Sequence, residues 1–312
     1  MGSVTKVLYI LGRGRSGSTI FANVIGAHEG FFSAGEVRYV WDPVAARDGG
    51  CACGRPVSSC PVWSKVLDRV SDVSVEEAGA WQRAVVTERN LPRLLRHSTD
   101  GRWPAADNYI RTMARIYDAI RDVTGASVIV DSSKRPSYAA VVRLLPSTEL
   151  CALHLVRDPR ASAYSWATTR HKSVFGGGAE VRRRNAFDST LRWNVLNIEA
   201  ELLLRKLPAQ RRLRLRYEDF VAAPRVIADE VIRFAGAETA ASPFLDDRSI
   251  TLRDNHTIAG NPSRFSAGTV TIEDRGDWRS GQTSVDRTVA TAVAAPFLRR
   301  YGYRARIPRS TA

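Results

Sequence analysis

Short apolar runs alternate with stretches of helical periodicity along most of the chain. The run from Val7 to Leu11 is cut by glycines and hydroxyls, and a helical pattern follows from Thr19 to Ala27, with Ile20, Val24 and Ala27 on one face. Phe31 to Ser33 is short and apolar. Residues 42–62 are rich in Gly, Pro and Cys and read as an ordered loop. Ser74 and Glu77 form a capping box before a helical stretch that runs to about His97. A further helix spans 105–123, with Ile110, Met113, Ile116, Tyr117 and Ile120 spaced for one face. Val128 to Val130 and residues 149–156 are buried-type strands. The second ends in an Asp158-Pro159 helix start. Phe187 to Leu207 is helical, Leu213 to Tyr217 a strand, and Pro224 to Phe234 and Val285 to Leu298 are helices. Strands that alternate with helices predict an α/β fold, a parallel sheet with helices on both faces.

The length of 312 residues and the 44% apolar content allow one large domain with an ample core. No run approaches the roughly 18 apolar residues of a membrane span, and the start lacks the layout of a signal peptide. Gly2 is not followed by the hydroxyl that myristoylation needs, since position 6 is Lys6. These features predict a cytoplasmic protein with no stable membrane anchor. The net charge of +14 favours anionic partners. Only five of the 46 basic residues are lysines, no recognised nucleic-acid motif is present, and Arg182–Arg184 and Arg211–Arg216 read as solvated faces. No nucleic-acid partner is expected.

Candidate chemistry concentrates at strand ends. The stretch from Gly12 to Thr19, G-R-G-R-S-G-S-T, joins the first strand to the first helix. Gly12 and Gly17 have the spacing of a phosphate-binding loop, but Ser18 and Thr19 follow where the nucleotide-triphosphatase pattern has lysine and a hydroxyl residue. Amides at such a helix start point at an anion with the positive end of the helix dipole behind them. Glu36 follows Gly35 one helix downstream, at the ligand edge of a parallel sheet. The strand Val128 to Val130 ends in D-S-S-K-R-P (131–136), so Asp131, Ser132, Ser133 and Lys134 are expected to face the ligand. Arg157 stands at the next strand end, with Ser165 eight residues on. The planar fork of an arginine suits phosphate oxygens. His154, in mid-strand, reads as a core histidine.

The loop Arg15-Ser16-Gly17-Ser18-Thr19 resembles that of the sulfotransferases, which hold the 5′-phosphosulfate end of 3′-phosphoadenosine 5′-phosphosulfate there. The Arg157–Ser165 pair is a second resemblance. Together they imply the sulfotransferase fold, close to that of nucleotide kinases, and sulfuryl transfer from that donor to a hydroxyl of a small-molecule, glycan or lipid acceptor. In the tyrosylprotein and some bacterial members a Gly-Glu at this place supplies the general base, which implies that role for Glu36. The resemblance further implies Lys134 and Arg15 on the moving sulfuryl group, and Arg13, Gly14, Arg15, Ser16, Gly17, Ser18 and Thr19 around the 5′ end. It implies Arg157 and Ser165 on the 3′-phosphate, Tyr217 near the adenine, and Asn261 and Arg264 from a late loop (Asn255 to Phe265) that wraps the nucleotide. His256 is a second choice of base. Nothing in the sequence separates a sugar, a phenol, a lipid or a peptide tyrosine as acceptor.

Two regions are expected to shape the acceptor pocket. One is the helical region at about 60–125, whose tryptophans read mostly as core. The other is the segment 171–189, read as either a mobile lid or a disordered insertion. Cys51, Cys53 and Cys60 form C-x-C-x6-C. They leave three readings open: plain thiols, a disulfide or redox pair, or part of a metal site, for which no nearby histidine supplies a fourth ligand. No metal is expected. A P-loop kinase using ATP, and a non-catalytic protein that binds through its basic surface, remain as alternatives.

Overall fold

The computed structural model describes residues 4–43, 50–168, 183–237, 242–274 and 276–305. Five strands, β1 (Thr5–Leu11), β2 (Phe31–Gly35), β3 (Val128–Lys134), β4 (Thr148–Val156) and β5 (Arg212–Arg216), form a parallel sheet in the order β2-β3-β1-β4-β5. The order reverses direction beside β1, so the C-terminal ends of β1, β3 and β4 open on one crevice, the usual ligand edge of such sheets. Beyond them β6 (Ser249–Leu252) and β7 (Gly268–Thr271) make an antiparallel pair.

The continuous apolar run of β1 is explained by burial on both faces. Val7, Tyr9 and Leu11 pack into a core built with Trp63, Ile110, Met113, Ile116 and Ile120. Leu8 and Ile10 pack into another with Phe21, Val24, Ile25, Phe220 and Val231. Predicted elements recur with small shifts: helices at Ser18–Gly26, Pro104–Thr124, Pro136–Val142, Pro159–Thr168, Ala186–Leu204, Pro224–Phe234 and Ser284–Leu298. The helix expected from Ser74 to about His97 is broken into Val75–Val85 and Leu91–Leu94. Ser74 Oγ accepts from the Glu77 amide at 3.1 Å as the capping box requires. Asn90 Nδ2 then donates to the carbonyls of Ala84 (2.8 Å) and Val85 (3.1 Å), which ends the first helix, and Pro92 sits in the first turn of the next.

His154 is the core residue its position predicts. Its Nε2 lies 2.7 Å from Asn197 Oδ1, and its Nδ1 is buried with no partner among the described residues. Burial holds its pKa down at about 4. The unfolded chain takes up this proton near pH 6.5 and the folded chain does not, so folding loses stability as pH falls from about 6.5 toward 4. Denaturant unfolding at pH 7 and pH 5 should show this loss, and His154→Gln should flatten it. An unchanged slope would remove His154 as its source.

Candidate active site

The loop after β1 bends through two left-handed residues, Arg15 (φ 76°) and Gly17 (φ 82°), before the helix Ser18–Gly26 begins. At Gly17 a side chain is excluded twice, since a Cβ would also lie 2.1 Å from the Tyr217 ring. The loop is fastened from two strand ends and from the helix Pro159–Thr168. The Gly12 amide donates to the Lys134 carbonyl (3.4 Å), and Arg157 Nη1 donates to the Arg15 carbonyl (2.9 Å). Trp166 Nε1 donates to the Gly14 carbonyl (3.0 Å). Arg13 and Arg15 both stack on Trp166, with guanidinium carbons 4.8 and 5.4 Å from a ring centroid, and Arg184 joins them at 5.3 Å.

This packing crowds cations together. Burial and the neighbouring Arg184 pull the Arg13 pKa down to about 10, and burial and Arg157 do the same to Arg15. Both stay charged at neutral pH. The hydroxyls of Ser16 and Ser18, Nε and Nη2 of Arg13, and Nε of Arg157 are buried with no hydrogen-bond partner among the described residues. Buried donors without acceptors, beside guanidinia that repel one another, fit an anionic ligand with more than one phosphate-like group.

Glu36 follows β2 and is 7% exposed. Its amide donates to the Ile258 carbonyl at 2.8 Å, so the late loop fixes its backbone. Gly35 makes this approach possible: it has φ 78°, and a Cβ there would meet the Ile258 carbonyl oxygen at 2.2 Å. Lys134, itself left-handed (φ 70°), points its ammonium at Glu36 Oε1 at 2.6 Å, and Arg38 Nη2 lies 3.5 Å from Oε2. Of the other residues expected here, Ser133 lines the cavity and its Oγ accepts from the Arg38 amide (3.2 Å). Asp131 does not face the ligand. It is fully buried, accepts from the Ser133 amide (2.7 Å) and from Tyr117 Oη, and burial raises its pKa to about 6.

One cavity opens on this loop, and a second lies beyond Arg157 and Tyr217, which contact the loop. The larger, about 510 Å³, is lined by Gly12–Arg15, Glu36, Lys134 and Asn261, and on its far side by Leu191, Val195 and Leu196. The smaller, about 240 Å³, is lined by Arg157, Ser165 and Tyr217 with Asp274 and Trp278. The Arg157 guanidinium lies over the Tyr217 ring, 4.8 Å from its centroid. Asn261 Oδ1 accepts from Arg15 Nη1 (3.2 Å), and the Asn261 amide donates to Thr19 Oγ1 (3.2 Å). Arg13, Gly14, Arg15, Glu36, Lys134 and Asn261 thus share the larger cavity and Arg157, Ser165 and Tyr217 the smaller, while Ser16–Thr19 line neither.

Arg264 stands apart. It is buried behind the loop, with Nη1 donating to the Gly260 carbonyl at 3.0 Å, and lines neither cavity. His256 also lines neither, and borders a separate cavity with Asn23, His28 and Val62.

The sequence profile of the Sulfotransferase family matches residues 8–241. The chain belongs to the sulfotransferase family. Among solved structures, the sulfotransferase domain from the curacin biosynthetic pathway is similar at a TM-score of 0.53 and 16% identity, over 97% of this chain and 99% of that one, which shows a shared fold. The sulfotransferase domain from the Synechococcus PCC 7002 olefin synthase aligns at a TM-score of 0.48 and 19% identity, over 95% and 96% of the two chains. No curated protein sequence is significantly similar to the chain.

The regions expected to shape an acceptor pocket contribute unequally to the larger cavity of this sulfotransferase. Of the region 60–125, only Glu88 lines the larger cavity. Trp41 and Trp63 are buried, and Trp81 and Trp103 pack against the same core. The segment expected as a lid lies mostly outside the described residues, and its end, from Ala186, begins the helix Ala186–Leu204. That helix supplies the apolar wall. Trp166 and Arg38 were not singled out in the sequence: a tryptophan in a helix reads as core, and nothing near Arg38 announces a carboxylate partner. Among the described residues, no helix of the sulfotransferase is long and apolar enough to cross a membrane. The cysteine cluster also gains a member, because the fold brings His256 to within hydrogen-bonding distance of Cys60.

Proposed function

We propose that this sulfotransferase moves a sulfuryl group from 3′-phosphoadenosine 5′-phosphosulfate to an acceptor hydroxyl. The contact between Arg157 and the Arg15 carbonyl carries the reading, because it sets the loop and the second cavity back to back. A nucleotide with phosphates at both its 5′ and 3′ ends spans that junction. Ser16, Ser18, Thr19, Arg13 and the loop amides hold its 5′ end. Arg157 and Ser165 hold its 3′-phosphate, and Tyr217 lies beside the base. Arg264 supports the loop from behind.

The bound donor supplies an activated sulfate. Glu36 takes the proton from the acceptor hydroxyl as its oxygen bonds to sulfur and the sulfur–oxygen bond to the 5′-phosphate breaks. Lys134 and Arg15 stabilise charge on the sulfuryl oxygens and the departing phosphate. The Lys134 ammonium lies on Glu36 and its carbonyl accepts from the Gly12 amide, which supports a position beside both groups. In-line transfer of this kind asks for alignment and charge stabilisation, as in the phosphoryl case. The acceptor is a small molecule or glycoconjugate with an apolar body beside its hydroxyl, matched to Leu191, Val195 and Leu196.

The test compares nucleotides and follows the label. 3′-Phosphoadenosine 5′-phosphate should raise the melting temperature while adenosine 5′-monophosphate does not, and radiosulfate from the labelled donor should move to a phenolic or lipidic alcohol. Equal stabilisation by both nucleotides, or transfer from ATP instead, would overturn the reading.

A further inference from the structure

We propose that Cys51, Cys53, Cys60 and His256 form a structural zinc site that fastens the late loop to the edge of the sheet. Their ligand atoms all lie within 4.8 Å of one another. Cys51 Sγ is 3.5 Å from Cys60 Sγ, and His256 Nδ1 is 3.8 Å from Cys51 Sγ and 3.2 Å from Cys60 Sγ. A tetrahedral zinc with its usual bonds to sulfur and nitrogen keeps its ligand atoms ~3.5–3.8 Å apart. Three thiols and one imidazole make a closed, soft donor set that suits zinc and leaves no position for a substrate. The cysteines are free of disulfides in the structure. A disulfide between Cys51 and Cys60 would leave Cys53 and His256 converging on nothing.

The surrounding backbone is already arranged around this point. The Ala52 amide donates to the Thr257 carbonyl (2.9 Å), and the Ala259 amide donates to the Gly50 carbonyl (2.9 Å). Trp63 Nε1 donates to the His256 carbonyl at 2.5 Å, which sets the histidine from behind. Residues 257–259 thus run between Gly35 on one side and Cys51 on the other. The metal would sit at the start of that segment, two residues before the Ile258 carbonyl that holds the Glu36 amide. Its task here is mechanical, joining two loops about 200 positions apart in the chain. It takes no part in sulfuryl transfer.

The metal content of the full-length chain, purified without chelators, tests this without any turnover, so failure of the donor assignment would leave the result standing. One zinc per chain is expected. Cys60→Ser and His256→Ala should each weaken zinc binding by at least ~10–100-fold. Cobalt exchanged into the wild-type chain should show the intense thiolate charge-transfer and d–d bands of a tetrahedral site. Cys51, Cys53 and Cys60 should react with a thiol reagent only after chelation, and chelation should lower the melting temperature. Should the variants fail to fold, the wild-type zinc content and the cobalt spectrum decide. A chain that carries no zinc and takes none up, that carries iron instead, or that yields a Cys51–Cys60 disulfide from unreduced protein overturns the proposal.

Discussion

Glu36→Gln should lower turnover by about 10²–10⁴-fold, the usual contribution of a general base, while the spent nucleotide still binds. The substitution keeps an oxygen acceptor for Lys134 Nζ, now 2.6 Å from Oε1, and removes the negative charge together with the capacity to take a proton. Breaking a buried ion pair outright destabilises a fold, so the amide is a cleaner probe than alanine. Single-turnover transfer and calorimetric binding of 3′-phosphoadenosine 5′-phosphate, measured on the same preparation, separate the two effects. A variant that turns over at the wild-type rate would end the assignment of Glu36. One that loses the nucleotide as well would show a collapsed crevice in place of a lost base.

Arg157→Ala should act on binding first. A hydrogen bond between charged partners contributes about 1.5–3 kcal/mol, which corresponds to a loss of roughly 10–100-fold in affinity for the spent nucleotide. The arginine also donates to the Arg15 carbonyl and lies over Tyr217, so its removal loosens the phosphate loop from the side. Arg157→Lys keeps the charge without the planar fork and should recover only part of the loss. Adenosine 5′-monophosphate is the control, since it lacks the group that Arg157 is assigned to hold. Unchanged affinity for the 3′-phosphorylated nucleotide would refute the role.

Local patterns carried the fold and half of the crevice. The strand, loop and helix around Gly12–Thr19 are legible because apolar run, glycine spacing and helical period lie within about twenty consecutive residues. Lys134 and Arg157 are legible because strand ends in parallel sheets gather ligands. The Glu36–Lys134 pair spans 98 positions, and the bond from Arg157 to the Arg15 carbonyl spans 142, so neither leaves a trace in any window of sequence. Asp131 misled for a related reason. Its strand position suggests a ligand contact, yet Tyr117, from a helix packed beneath the sheet, turns its carboxyl inward. The tryptophans of region 60–125 sit in the core or pack against it, and the helix Ala186–Leu204 lines the larger cavity, which an amphipathic pattern alone does not reveal.

The Ile258 carbonyl that orients Glu36 lies more than 200 residues after it, beyond position 241 where the family match stops. During vectorial synthesis the nascent chain can build its phosphate loop and most of its sheet while Glu36 still lacks its brace. A chain that stops shortly before Ile258 therefore lacks the brace of Glu36 together with Asn261, Asp274 and Trp278 of the two cavities.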